Sequence, residues 1–147
     1  MDVSRIFLKT ANSLLSAVIV LFLVVAGAYS AYALWDNMQV YASVDDIQSQ
    51  LLKYKPTPGE DNGPTFEELR AINPDVCAWI TLDGTKIDYP VLQGEDNLTY
   101  INKDVYGNFA LAGSIFLDSN CDRSFQEKYS LLYGHHMAEH KMFGDLD

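Results

Sequence analysis

Three histidines fall within six positions, in Tyr133-Gly134-His135-His136-Met137-Ala138-Glu139-His140. Two chemistries use such a pattern. His136, Glu139 and His140 fit the spacing H-x-x-E-H, in which two histidines on one helix face hold zinc and the glutamate activates a bound water. No third ligand accompanies them, and Gly134 and Gly144 bracket the segment. The other chemistry is proton transfer by His135 alone. It follows an apolar strand candidate, residues 129–133, and a glycine, so a sheet would hold it while its ring faces a cleft. An imidazole titrates near neutrality and suits that task. Three solvated loop histidines are the plainest alternative.

The two cysteines are weaker candidates. Cys77 stands between Val76 and Ala78 in an apolar stretch and reads as a small buried hydrophobe. Cys121 lies in a polar loop beside Asp122, and a neighbouring carboxylate raises a thiol pKa rather than activating it. A disulfide between the two stays open if the segment is exported. Asn97-Leu98-Thr99 fits a glycosylation sequon, a pattern common by chance.

The elements that must carry these residues begin with a membrane signal. No charged residue occurs from Thr10 to Trp35, and residues 14–34 read LLSAVIVLFLVVAGAYSAYAL. A helix of that length, at about 1.5 Å per residue, crosses a hydrocarbon core of about 30 Å. Arg5 and Lys9 precede it, while Asp36, Asp45 and Asp46 follow, which predicts a cytoplasmic N-terminus and an exported remainder. Tyr29, Tyr32 and Trp35 sit where an interfacial aromatic belt would lie. Ala31-Tyr32-Ala33 offers a cleavage-site pattern and the competing reading of a signal peptide, but the apolar run exceeds a usual h-region, which favours an uncleaved anchor.

The chain has 147 residues, 48% of them apolar and 20% charged, which is a globular composition. Its formal net charge is −10, and the part beyond the membrane segment holds 8 basic and 19 acidic residues, a net −11. That balance excludes a nucleic-acid partner, because phosphate contacts need clustered Lys and Arg. Two cysteines exclude a disulfide scaffold.

Residues 36–55 read as a helix, with Val44, Ile47, Leu51 and Tyr54 forming one apolar stripe that packs on the following domain or serves as a stalk. Residues 55–64 hold three Pro and two Gly and read as a linker. Thr65 and Glu68 form a capping box for a short helix that Asn73-Pro74 stops. The pattern then turns to β. Residues 76–82 and 85–92 form a hairpin around Asp83-Gly84, with Pro90 implying an edge or a bulge. Residues 114–117 and 129–133 are further strands, 98–102 a short helix or turn, and Gly107-Asn108 a turn. Several short strands at close spacing predict a barrel or sandwich.

Taken in order, the blocks resemble class B sortases. Asn73-Pro74-Asp75-Val76-Cys77-Ala78-Trp79-Ile80, Thr85-Lys86-Ile87-Asp88-Tyr89-Pro90-Val91-Leu92-Gln93-Gly94-Glu95-Asp96-Asn97, Gly113-Ser114-Ile115-Phe116-Leu117-Asp118 and Tyr133-Gly134-His135-His136-Met137 are similar to family blocks and follow the family's order. The resemblance implies a mainly β fold: part of a sortase-type β-barrel, preceded by a transmembrane helix and short N-terminal helices. It divides the chain into a cytoplasmic N-terminus (1–13), the transmembrane helix (14–34), a helical stalk and linker (35–64) and an incomplete catalytic domain (65–147). It further implies a single-pass protein of a Gram-positive cell membrane with its catalytic portion outside. In that chemistry a cysteine thiolate attacks a threonine carbonyl of a sorting signal. The thioacyl enzyme is then resolved by an amine of a cell-wall precursor or a pilin. The partners are therefore surface proteins bearing sorting signals, the amine acceptor and the membrane; no cofactor and no metal are implied.

Residue by residue, the family's histidine falls on His135, as proton donor to the leaving amine. Asn97 and Tyr133 match positions lining the substrate groove, and His136 matches a position read as structural. The nucleophile and the arginine have no counterpart. No Thr-Leu-x-Thr-Cys sequence occurs, and Cys77, Cys121 and Arg123 all precede the histidine. The resemblance thus predicts a truncated copy, carrying one of three catalytic residues and inactive alone. A zinc peptidase built on His136, Glu139 and His140 and a non-catalytic membrane-anchored binding module stand as alternatives.

Overall fold

The computed structural model describes residues 3–56 and 66–146. The capping-box residue Thr65 and most of the Pro/Gly linker lie outside the described residues. The chain divides into two compact units, with the boundary between Gln39 and Val40.

The first unit is helix. Helix α1 runs Val3–Leu52, well past the predicted apolar run, and its first 37 described residues form this unit. An 18-residue window of mean hydropathy 2.4 is wholly unburied, so by length and composition the helix is able to cross a membrane. Two of its hydroxyls bond back to the helix: Thr10 donates to the Ile6 carbonyl at 3.0 Å and Ser30 to the Ala26 carbonyl at 2.9 Å. This helix surface therefore presents apolar atoms and backbone that is already paired. Tyr32 and Trp35 lie together, ring centroids 6.1 Å apart.

In the second unit the last turns of α1 pack on the domain. Val44 is buried in one core and Leu51 in the other, where Ile47 and Tyr54 are partly buried beside it, so the apolar stripe packs on the sheet and is not solvated. Helix α2, Phe66–Ile72, buries Leu69 completely. Asn73 then stops it. Its side chain accepts the Asp75 N–H at 2.9 Å, an Asx turn that replaces the next helical bond, while Pro74 cannot supply one.

Strand β1, Val76–Thr81, pairs antiparallel with β2, Asp88–Leu92. Strand β3, Ile115–Leu117, lies parallel to β2, and β4, Leu132–Tyr133, antiparallel to β3, giving the order β1-β2-β3-β4. A separate hairpin joins β5, His136–Met137, to β6, Lys141–Met142. Pro90 sits in the interior strand β2, not at an edge. The odd-numbered residues of β2 bond toward β1, since Leu82 N–H donates to the Ile87 carbonyl and Gln93 N–H to the Asp75 carbonyl. Pro90's nitrogen thus points to the other side, where pairing with β3 begins only at Val91. The predicted bulge occurs across the pair, between Val76 and Ala78 of β1.

Alternation along the strands produces two cores, one on each face of the sheet. Tyr89, Val91, Ile115 and Leu117 join Val44 and Met142 on one side. Val76, Leu92 and Phe116 join Leu51, Leu69, Tyr100 and Val105 on the other. Both faces of β2 and β3 are covered, which is why these strands are almost continuously buried.

The mainly β expectation is met only in part. Among the described residues the longest strand has 6 residues, whereas α1 has 50. The strand predicted over 129–133 shrinks to Leu132–Tyr133, because Tyr129 projects into solvent with no neighbour to bury it. Residues 98–102 form turns. A four-stranded and a two-stranded sheet stand where a barrel or sandwich was expected.

Candidate functional site

Asn97, Ile101, Phe116, Tyr133, Gly134 and His135 line one open cleft beside the β3–β4 pair. Three stretches far apart in sequence build it. Asn97 comes from the loop after β2, where Asp96 accepts the Leu98 and Thr99 N–H groups at 3.0 and 2.8 Å and so winds the turn that carries Ile101. Phe116 is the middle residue of β3. Tyr133 ends β4 opposite it, with ring centroids 5.3 Å apart.

Gly134 carries the chain from β4 to His135 through a tight gap. A Cβ there would collide with Cδ1 of Ile115 and the ring of Phe143. The turn bearing Ile101 is equally constrained, since Gly113 adopts φ +58 and a Cβ on it would collide with the Tyr100 and Ile101 carbonyl oxygens, a place only glycine fills.

His135 Nε2 lies 2.9 Å from the Ile101 carbonyl oxygen. A carbonyl only accepts, so Nε2 carries the proton of the neutral ring, and Nδ1 is the nitrogen left for proton exchange. Tyr133 donates its phenol proton to Asp118 Oδ2 at 3.1 Å, and Asn97 Nδ2 donates to the same oxygen at 2.8 Å. The bond to Asp118 pushes the Tyr133 phenol above the ordinary tyrosine value. Hydrogen bonds, first from the Asn120 backbone and then from the Asn97 side chain, hold Asp118 below the usual carboxylate range.

Asp118 was missed by residue-type reasoning. The available signal was its place directly after a strand in Asp118-Ser119-Asn120, where an aspartate organises the turn.

The structure does not bring the other candidates to the cleft. Cys77 and Cys121 are free thiols, and neither lines it. Burial pushes the Cys77 thiol up, although Arg123 partly offsets this, and its Sγ lies 3.4 Å from the Val91 carbonyl. Arg123 donates to the Pro74 and Val76 carbonyls, tying its loop to the start of β1.

The H-x-x-E-H segment forms no α-helix. His136 is in β5, Glu139 and His140 adopt φ +60 and +64, and His140 Nδ1 is 2.5 Å from Asp145 Oδ1. Among the described residues no three His, Cys, Asp or Glu side chains converge as a metal site would require. The shared helix face on which the zinc reading depended is therefore not there.

No family model matches the chain. Individual relatives do. Over 96% of its length the chain is 33% identical to sortase B of Staphylococcus aureus, covering 56% of that protein. Among solved structures it is similar to a class B sortase of Streptococcus pyogenes involved in pilus biogenesis, with 57% identity, a TM-score of 0.53 and coverage of 56% of this chain and 45% of that one. It is also similar to sortase B of Bacillus anthracis, with 33% identity, a TM-score of 0.62 and coverage of 76% and 54%. The chain spans about half the length of the curated relatives it matches. Sequence likeness across nearly all its residues coincides with likeness of fold, and the chain belongs to the class B sortase family.

Proposed function

We propose that this chain supplies the histidine-bearing half of the substrate groove of a membrane-anchored class B sortase, a cysteine transpeptidase. The observation that carries the reading is convergence: His135, Asn97 and Tyr133, from separate stretches, line one cleft over the apolar Ile101 and Phe116. In this role the threonine segment of a surface protein's sorting signal lies in the cleft. His135 Nδ1 takes a proton from the attacking thiol and gives it to the amine that leaves as the thioester forms; it then takes one from the incoming cell-wall or pilin amine and returns it to the departing thiolate. The apolar floor excludes water that would otherwise compete with that amine.

The same reading makes these 147 residues inactive by themselves. They contain no Thr-Leu-x-Thr-Cys sequence, and neither cysteine is at the cleft. The test uses the full chain in detergent micelles with a panel of synthetic sorting-signal pentapeptides, threonine at the acyl position, and an amine acceptor. The expected result is peptide-dependent shifts of the His135 ring signals with no joined or hydrolysed product. Turnover that disappears in Cys121→Ala overturns the inactivity. No response of His135 to any peptide overturns the groove.

Residues 14–34 act in this reading as a single-pass anchor with Arg5 and Lys9 inside the cell and the second unit outside. Residues 1–13 are then cytoplasmic, 35–64 connect, and 65–147 carry the catalytic portion. A membrane-impermeant thiol reagent applied to intact cells is expected to label Cys121. Labelling only after lysis reverses the orientation.

A further inference from the structure

Asp118 closes β3 beside the cleft, and none of the roles above belongs to it. Its half-buried carboxylate accepts from four donors. Oδ2 takes Asn97 Nδ2 at 2.8 Å and the Tyr133 hydroxyl at 3.1 Å. Oδ1 takes the Asn120 backbone N–H at 2.8 Å and Asn120 Nδ2 at 3.1 Å. Two further bonds brace this arrangement. Ser119 N–H donates to Asn97 Oδ1 at 2.8 Å, and Gln93 Nε2 donates to the Asp118 carbonyl at 3.0 Å.

An ionised carboxylate has no hydrogen to give, so each partner must turn a hydrogen toward it. This determines what the cleft wall can offer. The Tyr133 proton is committed to Asp118, so its oxygen faces a ligand as an acceptor. Asn97 Oδ1 is committed to Ser119 and one Nδ2 hydrogen to Asp118, which leaves the second Nδ2 hydrogen as a donor. One acceptor and one donor above an apolar floor match the N–H and C=O of an extended peptide.

We propose that Asp118 is a positioning residue: by accepting from both Asn97 and Tyr133, it sets the hydrogen-bonding face each side chain turns to the cleft. That the ligand is a peptide rests on the reading given under Proposed function. The depressed Asp118 carboxyl and the raised Tyr133 phenol agree with the geometry.

The test compares the full chain with its Asp118→Asn and Asp122→Asn variants in detergent micelles, using tyrosine labelled with carbon-13 at Cζ. Tyr133→Phe and Asn97→Ser identify the two reporter signals. In Asp118→Asn the Tyr133 titration is expected to fall toward the ordinary tyrosine value and the Asn97 amide signals to move. Asp122→Asn removes a similar local set, the Ser124 and Gln126 bonds, and is expected to move neither. Should Asp118→Asn not fold, the unmodified chain decides: on acidification the Tyr133 and Asn97 signals must move with the Asp118 carboxyl at one shared midpoint. An unchanged Tyr133 titration in a folded Asp118→Asn variant, or separate acid midpoints, overturns the proposal.

A dye-labelled member of the pentapeptide panel adds the functional readout. Affinity should fall about tenfold in Asp118→Asn, the scale of one charge-assisted hydrogen bond, and no further when Asn97→Ala and Tyr133→Phe are added. If the unmodified chain binds no peptide, the groove reading fails while the two reporter signals still decide the role of Asp118.

Discussion

At the scale of single residues, the proposed proton transfer depends on how tightly His135 is placed. Its neighbour Gly134 has no room for a side chain against Ile115 and Phe143. Gly134→Ala is therefore expected to destabilise the second unit by about 1–3 kcal/mol, the usual cost of overpacking, as read from the midpoint of urea unfolding. The ring is held through Nε2 by the Ile101 carbonyl. Long-range proton–nitrogen NMR above neutral pH should accordingly find His135 protonated at Nε2 and bare at Nδ1. The opposite tautomer would remove Nδ1 from the proton-transfer role. His135 was singled out because the histidine of the resembled family falls on it; its place after an apolar strand and a glycine left a solvated loop histidine equally open. Asp118 was not, because one aspartate in a turn looks like any other until the side chains it accepts from are seen.

At the scale of elements, two polar knots hold the cleft's supports in place. Tyr100 joins the turn bearing Ile101 to the α2–β1 junction, donating to Asp75 Oδ2 at 2.7 Å while Asn73 Nδ2 donates to its oxygen at 3.0 Å. Burial first, and then the bond to Asp75, push the Tyr100 phenol up to about 12. A phenol whose folded value exceeds its unfolded one stabilises fully below the unfolded value of about 10, and loses that contribution as pH rises toward 12. The second unit should therefore weaken between about pH 10 and pH 12, and Tyr100→Phe should flatten that limb. The same substitution should cost about 1–3 kcal/mol at neutral pH, because Asp75 and Asn73 lose their partner.

The second knot is Asp88. Its Oδ1 accepts from Trp79 Nε1 at 2.6 Å and Thr81 at 2.8 Å, and Lys55 Nζ lies 2.8 Å away. Partial burial raises the carboxyl, but these bonds, led by Lys55, outweigh it and hold it below the usual value. A depressed acid stabilises above the unfolded value of about 3.9 and loses that contribution as pH falls through its folded value. Acid unfolding below about pH 4 should then be shallower in Asp88→Asn, followed by far-UV circular dichroism.

At the scale of the whole molecule, the two units answer to different solvents. The apolar part of α1 exposes hydrocarbon and paired backbone, which suits lipid, whereas the second unit buries its apolar side chains in two cores. The chain should stay with the membrane fraction through alkaline carbonate washing; release into the supernatant would remove the anchor. The second unit still leaves Leu82, Leu131 and Leu146 at 42, 44 and 54% exposure. Detergent-free preparations of it are expected to self-associate as salt screens the acidic surface, an effect light scattering would show.

Sequence alone determined the features with a local cause. An uninterrupted apolar run must be helix in lipid, Asn73-Pro74 must stop a helix, and alternation with a Gly turn must make the β1–β2 hairpin. Family order then singled out His135, Asn97 and Tyr133. Tertiary structure decided what depends on distant partners. The stripe at Val44 and Leu51 could not reveal whether it would meet solvent or a sheet. H-x-x-E-H could not reveal that its backbone turns through positive φ instead of forming a helix. The parallel β2–β3 pairing lies across a long connection that no local signal predicts. Asp118 gains its place only when β3, β4 and the loop after β2 close on one another, because a hydrogen-bond network exists between elements and is written in none of them.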